Sequence, residues 1–190
     1  GRALRAGWGG DRGEEQLRGL SGRFGPPPPP PPPCPNDVHA LQMKLEEATN
    51  NDPWGPHGKL LAEIAAATYD YEGYMEIMSS LDARFQKAIA KPERWRLAYK
   101  SLLVLEHMAK HGDARCVDGL RKEGAMRTLG RLTEFKYVDP ASMKDHGINV
   151  RNRAELLRDF MQDPQRILEE RTKARANRGK YTGVASTGGG

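Results

Sequence analysis

The sequence predicts an all-α protein, and three observations support that prediction. After Asn36, apolar residues recur every three or four positions, as they do on one face of a helix. No segment of the sequence alternates apolar and polar residues as a half-buried strand does. The polar connections between the apolar segments are short, so we expect consecutive helices to pack as antiparallel neighbours in a stack of hairpins.

The first 35 residues do not follow this pattern. They are rich in Gly, Arg and Pro, and 26–33 is an unbroken proline run that can only form an extended polyproline II rod. This composition predicts disorder, with the rod acting as a spacer or as a ligand for a proline-binding module. We therefore expect a disordered segment at 1–35, a helical domain at 36–181 and a flexible Gly-rich tail at 182–190.

The helical domain begins with an amphipathic helix and an unusual loop. Asn36 or Asp37 can cap this helix. Its apolar face holds Val38, Leu41, Leu45 and Ala48. The loop at 50–59 reads NNDPWGPHGK, and the residue before its first proline disfavours helix, which ends the first helix here. We expect Trp54 to turn into the core and pin this loop.

The remaining segments are also helical. Helices are expected at 59–68, 71–89, 95–110, 150–162 and from Pro164 onward, with 114–135 forming one helix or a pair broken at Gly124, and 136–147 a polar connection. The segment 95–110 is apolar over too wide a face for a surface helix, so it is central, and Gly112 ends it. The expected core faces hold Tyr74, Ile77, Met78, Leu81, Phe85, Trp95, Ala98, Tyr99, Leu102, Leu105, Met108, Ala154, Leu156, Leu157, Phe160, Ile167 and Leu168.

Composition narrows the classes of function. The chain of 190 residues has 30 basic and 25 acidic residues, a formal net charge of +5, which favours anionic partners such as lipid headgroups, nucleic acid or acidic peptides. Its two cysteines, Cys34 and Cys116, do not form a disulfide framework, so a reducing compartment is expected. No apolar run approaches the ~20 residues that span a bilayer, and no signal-peptide core is present, so any membrane contact is peripheral.

The sequence contains no motif that supports an enzymatic function. His107 and His111 have zinc-ligand spacing, but Met108 stands where a zinc protease needs Glu. We expect no metal site, no cofactor and no enzymatic activity. Two short patterns resemble trafficking motifs: LLVLE at 102–106 resembles a clathrin box, and DPW at 52–54 an adaptor-appendage ligand. We interpret both as structural, because the first lies in the most apolar helix and the second carries the Trp expected in the core.

Basic residues cluster where one helix ends and the next begins. The cluster consists of Arg84, Lys87, Lys91, Arg94, Arg96 and Lys100. Asn51 would lie near them if the hairpins fold back. Such a cluster can hold a multiply phosphorylated headgroup by charge and hydrogen bonds. The alternative is an ordinary solvated surface, since Asp82 and Glu93 lie among the cations.

Specific motifs resemble a known family. They read EATNNDPWGPHG at 47–58, LAEIAAATY at 61–69, EIMSSLDARF at 76–85, WRLAYKSLLVLEHMAKHG at 95–112, FKYVD at 135–139 and KDHGINVRNRAELL at 144–157. Together these segments resemble the epsin N-terminal homology (ENTH) domain of epsins and epsin-related clathrin adaptors. The resemblance implies an ENTH/VHS-like right-handed superhelix of about seven to eight helices.

The resemblance also implies a function and a site. It implies phosphoinositide binding on the cytosolic leaflet and a role in clathrin-coated vesicle formation, with a peripheral location at the plasma membrane, Golgi or endosomal membranes or coated vesicles. The residues that match the family's phosphoinositide-binding site are Asn51, Arg84 and Lys100, and Lys91 or Arg94 could substitute for a family Lys that has no clean match here. Arg96, from the same basic cluster, completes the predicted set. The departures are Leu97 in place of a family His, Glu46 in place of a basic residue, and the proline run in place of an amphipathic N-terminal helix. They predict weaker or altered lipid binding.

Those departures keep a second function open. The same helical stack could serve as a protein-interaction module, for example a SNARE-binding cargo adaptor, with weak or lost lipid binding. Nucleic-acid binding is not expected, because the basic residues lack interleaved aromatics and a recognised reading helix. We expect the protein to be a monomer.

Overall fold

The computed structural model describes residues 35–183, and the side chains of residues 38–177. The expectations for the proline run, Cys34 and the Gly-rich tail beyond Gly183 fall outside the described residues. The helices are α1 Pro35–Ala48, α2 Gly58–Ala67, α3 Tyr71–Ala90, α4 Trp95–His111, α5 Ala114–Arg121, α6 Glu123–Leu132, α7 Gly147–Gln162 and α8 Pro164–Gly183. A single 3-10 turn, Pro92–Arg94, joins α3 to α4.

The predicted all-α class is confirmed. Eight helices are described, within the predicted seven to eight, and the strand-like pairing in the described residues is one isolated bridge between Val138 and Asp145. Asp70 begins α3 by accepting a hydrogen bond from the Gly73 backbone N–H at 2.9 Å, which satisfies one of the free donors of the first turn. Pro164 begins α8, as predicted, where its missing N–H costs nothing. Among the described helices, none is both long enough and apolar enough to cross a membrane.

Helix α4 is the centre of the fold. It packs against α2, α3, α7 and α8, so side chains around most of its circumference are buried. Leu102 and Val104, in the stretch that resembles a clathrin box, have no exposed surface. The structural interpretation of that stretch is therefore confirmed: these side chains form core and are not presented to a partner.

The end of α4 is joined to α2 through a close backbone approach. The buried Thr68 hydroxyl accepts a hydrogen bond from the Asp113 backbone N–H at 2.9 Å. A Cβ added at Gly112 would lie 2.7 Å from both the Met108 carbonyl oxygen and the Thr68 hydroxyl oxygen. Gly112 therefore ends α4, as predicted, and glycine is needed there because the neighbouring atoms leave no room for a side chain.

Helix α8 closes the same end of α4. The Arg171 guanidinium donates to the carbonyl oxygens of Ala109 at 2.7 Å and Gly112 at 2.8 Å. The Ala109 carbonyl belongs to the last turn of α4 and the Gly112 carbonyl directly follows that helix, where no further helical N–H can reach them. Ile167 and Ala174 on α8 are buried beside this contact. An arginine from a distant part of the chain thus caps the central helix.

Three predictions about apolar side chains are wrong. Trp54 is 61% exposed, not in the core, because the loop carries its ring away from the helices. Leu156 and Leu168 are 55% and 60% exposed. Each is next to a buried residue, Leu157 or Ile167, and adjacent helical residues are about 100° apart, so one of the two faces solvent.

Several predicted boundaries also differ from the structure; α7, for example, begins at Gly147, three residues before its predicted start at 150. Asn36 and Asp37 lie inside the first turn of α1, which begins at Pro35, so neither precedes the helix as a cap. The segment 114–135 is a broken pair, as one alternative held, but the break is at Lys122, whose backbone is extended (φ −62°, ψ 147°). Gly124 lies within α6.

Candidate functional site

A cavity of about 520 Å³ opens between α1, α3 and the beginning of α4, and we call it the cationic cleft. Its lining residues are Gln42, Glu46, Thr49, Asn50, Ser80, Ala83, Arg84, Lys87, Arg94 and Leu97. Three of these side chains are cations and one, Glu46, is an acid. The wall also contains hydroxyl and amide groups, so the cleft combines positive charge with neutral hydrogen-bonding groups.

Arg84 is the most firmly held cation of the cleft. Its Nε donates to the Thr49 hydroxyl at 2.7 Å, which joins α3 to the end of α1. Its Nη1 donates to the Ser80 carbonyl and hydroxyl oxygens, both at 2.9 Å. Burial lowers the pKa of Arg84, and the negative charges of Glu46 and Glu76 oppose that effect. The three hydrogen bonds fix the plane of the guanidinium before any ligand arrives.

Lys100 lies behind the cleft wall and holds the loop after α1. It is only 4% exposed, and its Nζ donates to Asn50 Oδ1 at 2.6 Å. Asn50 Nδ2 donates to Asp52 Oδ2 at 2.5 Å, and the Asp52 backbone N–H donates back to Asn50 Oδ1 at 3.2 Å. Burial lowers the pKa of Lys100, while the charge of Asp52 raises it. This network fixes Asn50 in the cleft wall and adds positive charge beneath it.

The structure brings together part of the predicted site. Arg84 and Arg94 line the cleft, and Lys100 reaches it through Asn50. The other three predicted residues are not among the lining residues. Asn51 is exposed just beyond Asn50, Lys91 is exposed at the end of α3, and the Arg96 guanidinium lies over the Trp95 ring, 4.8 Å from its centroid.

Four polar residues of the cleft wall were not predicted from the sequence: Gln42, Thr49, Asn50 and Ser80. Ser80 could have been found, because it lies four residues before Arg84 and therefore on the same helix face. Nothing in the sequence separates Asn50 from Asn51, since the choice depends on how the loop leaves α1. Glu46 and Leu97, the two departures that predicted weaker lipid binding, do line the cleft.

A second cavity lies on another side of α3. We call it the apolar groove; its volume is about 480 Å³ and its lining includes Met78, Leu81, Phe85, Leu105, Leu120, Ala125 and Leu129. Asp82, Arg127 and Arg131 also line it. Its surface is mainly hydrocarbon, so it offers few hydrogen-bonding groups to a phosphate.

Both the sequence and the structure of this chain are similar to those of known proteins. The ENTH domain family model matches residues 38–167. Human "Clathrin interactor 1" is 43% identical over 146 residues, covering 77% of this chain and 23% of that protein. An ENTH domain-containing protein of Schizosaccharomyces pombe is 42% identical over 149 residues, covering 78% of this chain and 30% of that protein. The chain thus spans less than a third of the length of these relatives.

Solved structures of similar domains match the same region. The human epsinR ENTH domain has a TM-score of 0.65 and 42% identity, covering 72% of this chain and 96% of that one. The epsin-2 ENTH domain in complex with phosphatidylinositol 4,5-bisphosphate has a TM-score of 0.65 and 31% identity, covering 71% and 91%. A cryo-EM structure of helical ANTH and ENTH tubules on membranes containing that lipid matches with a TM-score of 0.61 and 26% identity, covering 88% and 96%.

Proposed function

The chain belongs to the ENTH domain family, and from this membership we propose that it binds phosphoinositide headgroups and acts as an adaptor in clathrin-mediated endocytosis or vesicle trafficking. The epsin-2 relative is described in complex with phosphatidylinositol 4,5-bisphosphate, and the tubules form on membranes that contain this lipid. The names of the sequence relatives point to clathrin-coat machinery as the protein partner.

The observation that supports lipid binding best is the convergence of three cations on one cavity. Arg84, Lys87 and Arg94 line the cationic cleft, and the ammonium of Lys100 lies behind Asn50. Charge-assisted hydrogen bonds to phosphate oxygens are about twice as strong as neutral ones, and a headgroup with several phosphates can form them on more than one side of the cleft. Because the Arg84 guanidinium is already oriented, a bound phosphate costs little further ordering.

The proposed location follows from the ligand. Phosphoinositide headgroups face the cytosol, so the domain would lie peripherally on the cytosolic surface of the plasma membrane, Golgi or endosomal membranes or coated vesicles. Each cation near an anionic leaflet adds about 1 kcal/mol of attraction. We propose that the domain does this as a monomer, because a single copy contains the whole lining of the cleft.

A second function is favoured by two residues of the cleft and by the apolar groove. Glu46 opposes an anionic ligand, and Leu97 offers no hydrogen bond to one. The apolar groove has the hydrocarbon lining that an amphipathic partner helix would need. On this alternative the domain binds a protein, such as a SNARE used as cargo, and its lipid binding is weak or lost.

Vesicle co-sedimentation tests the proposed function against the alternative. The parent chain is compared with Arg84→Glu/Arg94→Glu in the cleft and with Arg127→Glu/Arg131→Glu beside the groove. Both double variants lower the formal net charge from +5 to +1 (5 − 4 = 1), so they differ in position and not in charge. We expect the cleft variant to lose binding to phosphoinositide vesicles and the groove variant to keep it. If both variants lost vesicle binding equally, the binding would be a non-specific attraction between charges, and the proposed site in the cleft would be contradicted.

A further inference from the structure

We propose that Trp54 inserts into the bilayer interface beside the cationic cleft when the cleft holds a lipid headgroup, so that the loop after α1 is a second membrane contact. This inference rests on the proposed function. The first observation is that Trp54 is 61% exposed, although tryptophan has one of the largest apolar side chains. A single exposed apolar side chain is common on protein surfaces, so the inference depends on how the loop holds this ring and on the charges beside it.

The exposure of Trp54 is built into the loop. Lys100 anchors the loop through Asn50, and Asn50 and Asp52 are joined by two hydrogen bonds. Pro53 and Pro56 restrict the backbone on either side of the tryptophan. On the far side of the loop, the His57 carbonyl accepts the Leu61 N–H at 3.0 Å, which starts α2. The loop is thus held at both ends, and it presents the ring at a fixed position.

The tip of the loop is not packed against the described part of the protein. A Cβ built on Gly55 or Gly58 would meet no atom within 4 Å. Pro53, Trp54 and His57 are all exposed. The ring therefore has open space around it and can contact an extended surface such as a membrane.

The charges beside the loop favour a lipid surface. Asn50 lines the cleft with Arg84, Lys87 and Arg94. Asn50 and Trp54 are four residues apart, so their Cα atoms are separated by at most about 14 Å and the ring and the cations can contact one patch of membrane together. Lys59, at the other end of the loop, is exposed and basic.

The chemistry of the indole fits the same surface. Tryptophan is enriched at the membrane–water interface, where its ring lies among the upper acyl chains and its N–H remains with the headgroups. Acids are present near the loop, namely Glu46 and Glu47 on α1 and Asp52, whose carboxylate accepts from Asn50. These acids offset part of the positive charge of this surface and so weaken its electrostatic attraction to anionic lipid. Burial of the Trp54 ring in the membrane would therefore contribute a substantial share of the affinity for vesicles.

The first measurement is tryptophan fluorescence of the full chain with phosphatidylcholine vesicles, with and without phosphatidylinositol 4,5-bisphosphate. We expect the emission to shift to the blue with the phosphoinositide vesicles. Trp54→Phe should abolish the shift and keep most of the binding, because phenylalanine also enters the interface. A shift that persists in Trp54→Phe would come from Trp8 or Trp95 and would overturn the inference.

The second measurement separates the ring from the cleft. Trp54→Ala should weaken vesicle binding roughly ten-fold, because less apolar surface leaves water. It should leave the affinity for the soluble headgroup of the same lipid unchanged. Tyr71→Ala is the matched control: Tyr71 is 62% exposed, but it lies 13 residues before Arg84 on α3, about 20 Å away along the helix. Tyr71→Ala should change neither affinity.

The outcomes distinguish this inference from the proposed function. If Trp54→Ala and the parent bind vesicles equally, the inference is overturned while the cleft remains supported by headgroup binding. If the parent binds neither vesicles nor the soluble headgroup, the proposed function itself fails, and the inference fails with it. A blue shift produced by a clathrin-coat protein in the absence of vesicles would assign Trp54 to a protein contact and overturn the membrane role.

Discussion

The cationic cleft and the apolar groove are nearly equal in size, about 520 and 480 Å³, and both take part of their lining from α3. Ser80 and Arg84 face the cleft, while Leu81 and Phe85, one residue further along, face the groove. Successive helical residues are about 100° apart, so one helix can serve two unlike surfaces. The volume of a cavity therefore says little about its ligand, and the charges and hydrogen-bonding groups of its wall say much more.

The apolar groove and the cationic cleft also differ in how much their residues contribute to the stability of the fold. Buried leucines beneath the groove belong to the core, and removing one leaves a cavity that the surroundings fill only partly. The exposed cations of the cleft, Lys87 and Arg94, contribute little to folding, whereas Arg84 also joins α3 to the end of α1 through Thr49. We therefore expect groove variants to change stability and cleft variants to change binding.

The largest expected effect is on stability. Leu129→Ala, at a side chain that is 1% exposed on the groove side, should lower the free energy of unfolding by about 2–5 kcal/mol. Leu168→Ala, at a side chain that is 60% exposed, should change it by less than about 0.5 kcal/mol. Denaturant unfolding measures both. If folded Leu129→Ala also lost headgroup affinity, the two surfaces would not be independent.

The next effect tests how Lys100 acts. Lys100→Met should lower the affinity for the soluble headgroup about ten-fold, because loss of a hydrogen bond from a charged donor frees Asn50 and the loop. Amide hydrogen exchange in the loop at 50–57 should accelerate at the same time. Lys87→Met, at an exposed residue of the same cleft, should lower affinity without changing loop exchange. Unchanged loop exchange in Lys100→Met would mean that Lys100 contacts the headgroup directly.

A third test concerns His107 on α4, which, unlike Lys100, has a buried side-chain nitrogen, Nε2, without a hydrogen-bond partner among the described residues. Burial lowers the pKa of His107 to about 4, with the positive charges of His111 and Lys110 adding to the effect. The unfolded chain binds this proton near pH 6.5, whereas the folded protein resists it until about pH 4.

Stability should therefore be fully present above pH 6.5 and should fall as the pH drops from 6.5 toward 4. We expect this contribution to be roughly 1 kcal/mol, since solvent screens the exposed part of the ring. Thermal unfolding across this pH range measures it. His107→Gln should flatten the corresponding part of the pH dependence, and a variant with the parent's full slope would assign the effect to other groups.

The smallest effect concerns the acid in the cleft. Glu46→Gln removes the one negative charge among the lining residues and should raise headgroup affinity about two- to three-fold. Glu47→Gln is the matched control, because Glu47 is the exposed neighbour that does not line the cleft. Isothermal titration with the soluble headgroup distinguishes the two. Equal gains would indicate a general charge effect in place of a local one.

Helix faces were predictable from the sequence because their signal is local. Leu41, Leu45 and Ala48 recur at helical spacing, and all three are buried in α1. The same signal failed where two apolar residues are adjacent, as at Leu156 and Leu157. Periodicity marks both as near the core, and only the packing of α7 against its neighbours decides which one is buried.

The site was predictable only in part, for a related reason. Arg84 and Arg94 lie in the cleft, as the clustering of basic residues suggested. The direction of side chains in an irregular loop has no period, so the sequence could not place Trp54 outside the core or choose Asn50 over Asn51. The burial of Lys100 likewise depends on contacts between residues 50 positions apart in the chain.

The cap that Arg171 places on α4 has a consequence for where this domain ends. The family match stops at residue 167, four residues before Arg171. A fragment trimmed to that limit would keep every helix of the cleft and the groove, yet it would leave the Ala109 and Gly112 carbonyls without the guanidinium that satisfies them. The family match therefore ends before a contact that satisfies the carbonyls at the end of α4, and α8 supplies hydrogen bonds that the central helix cannot form within itself.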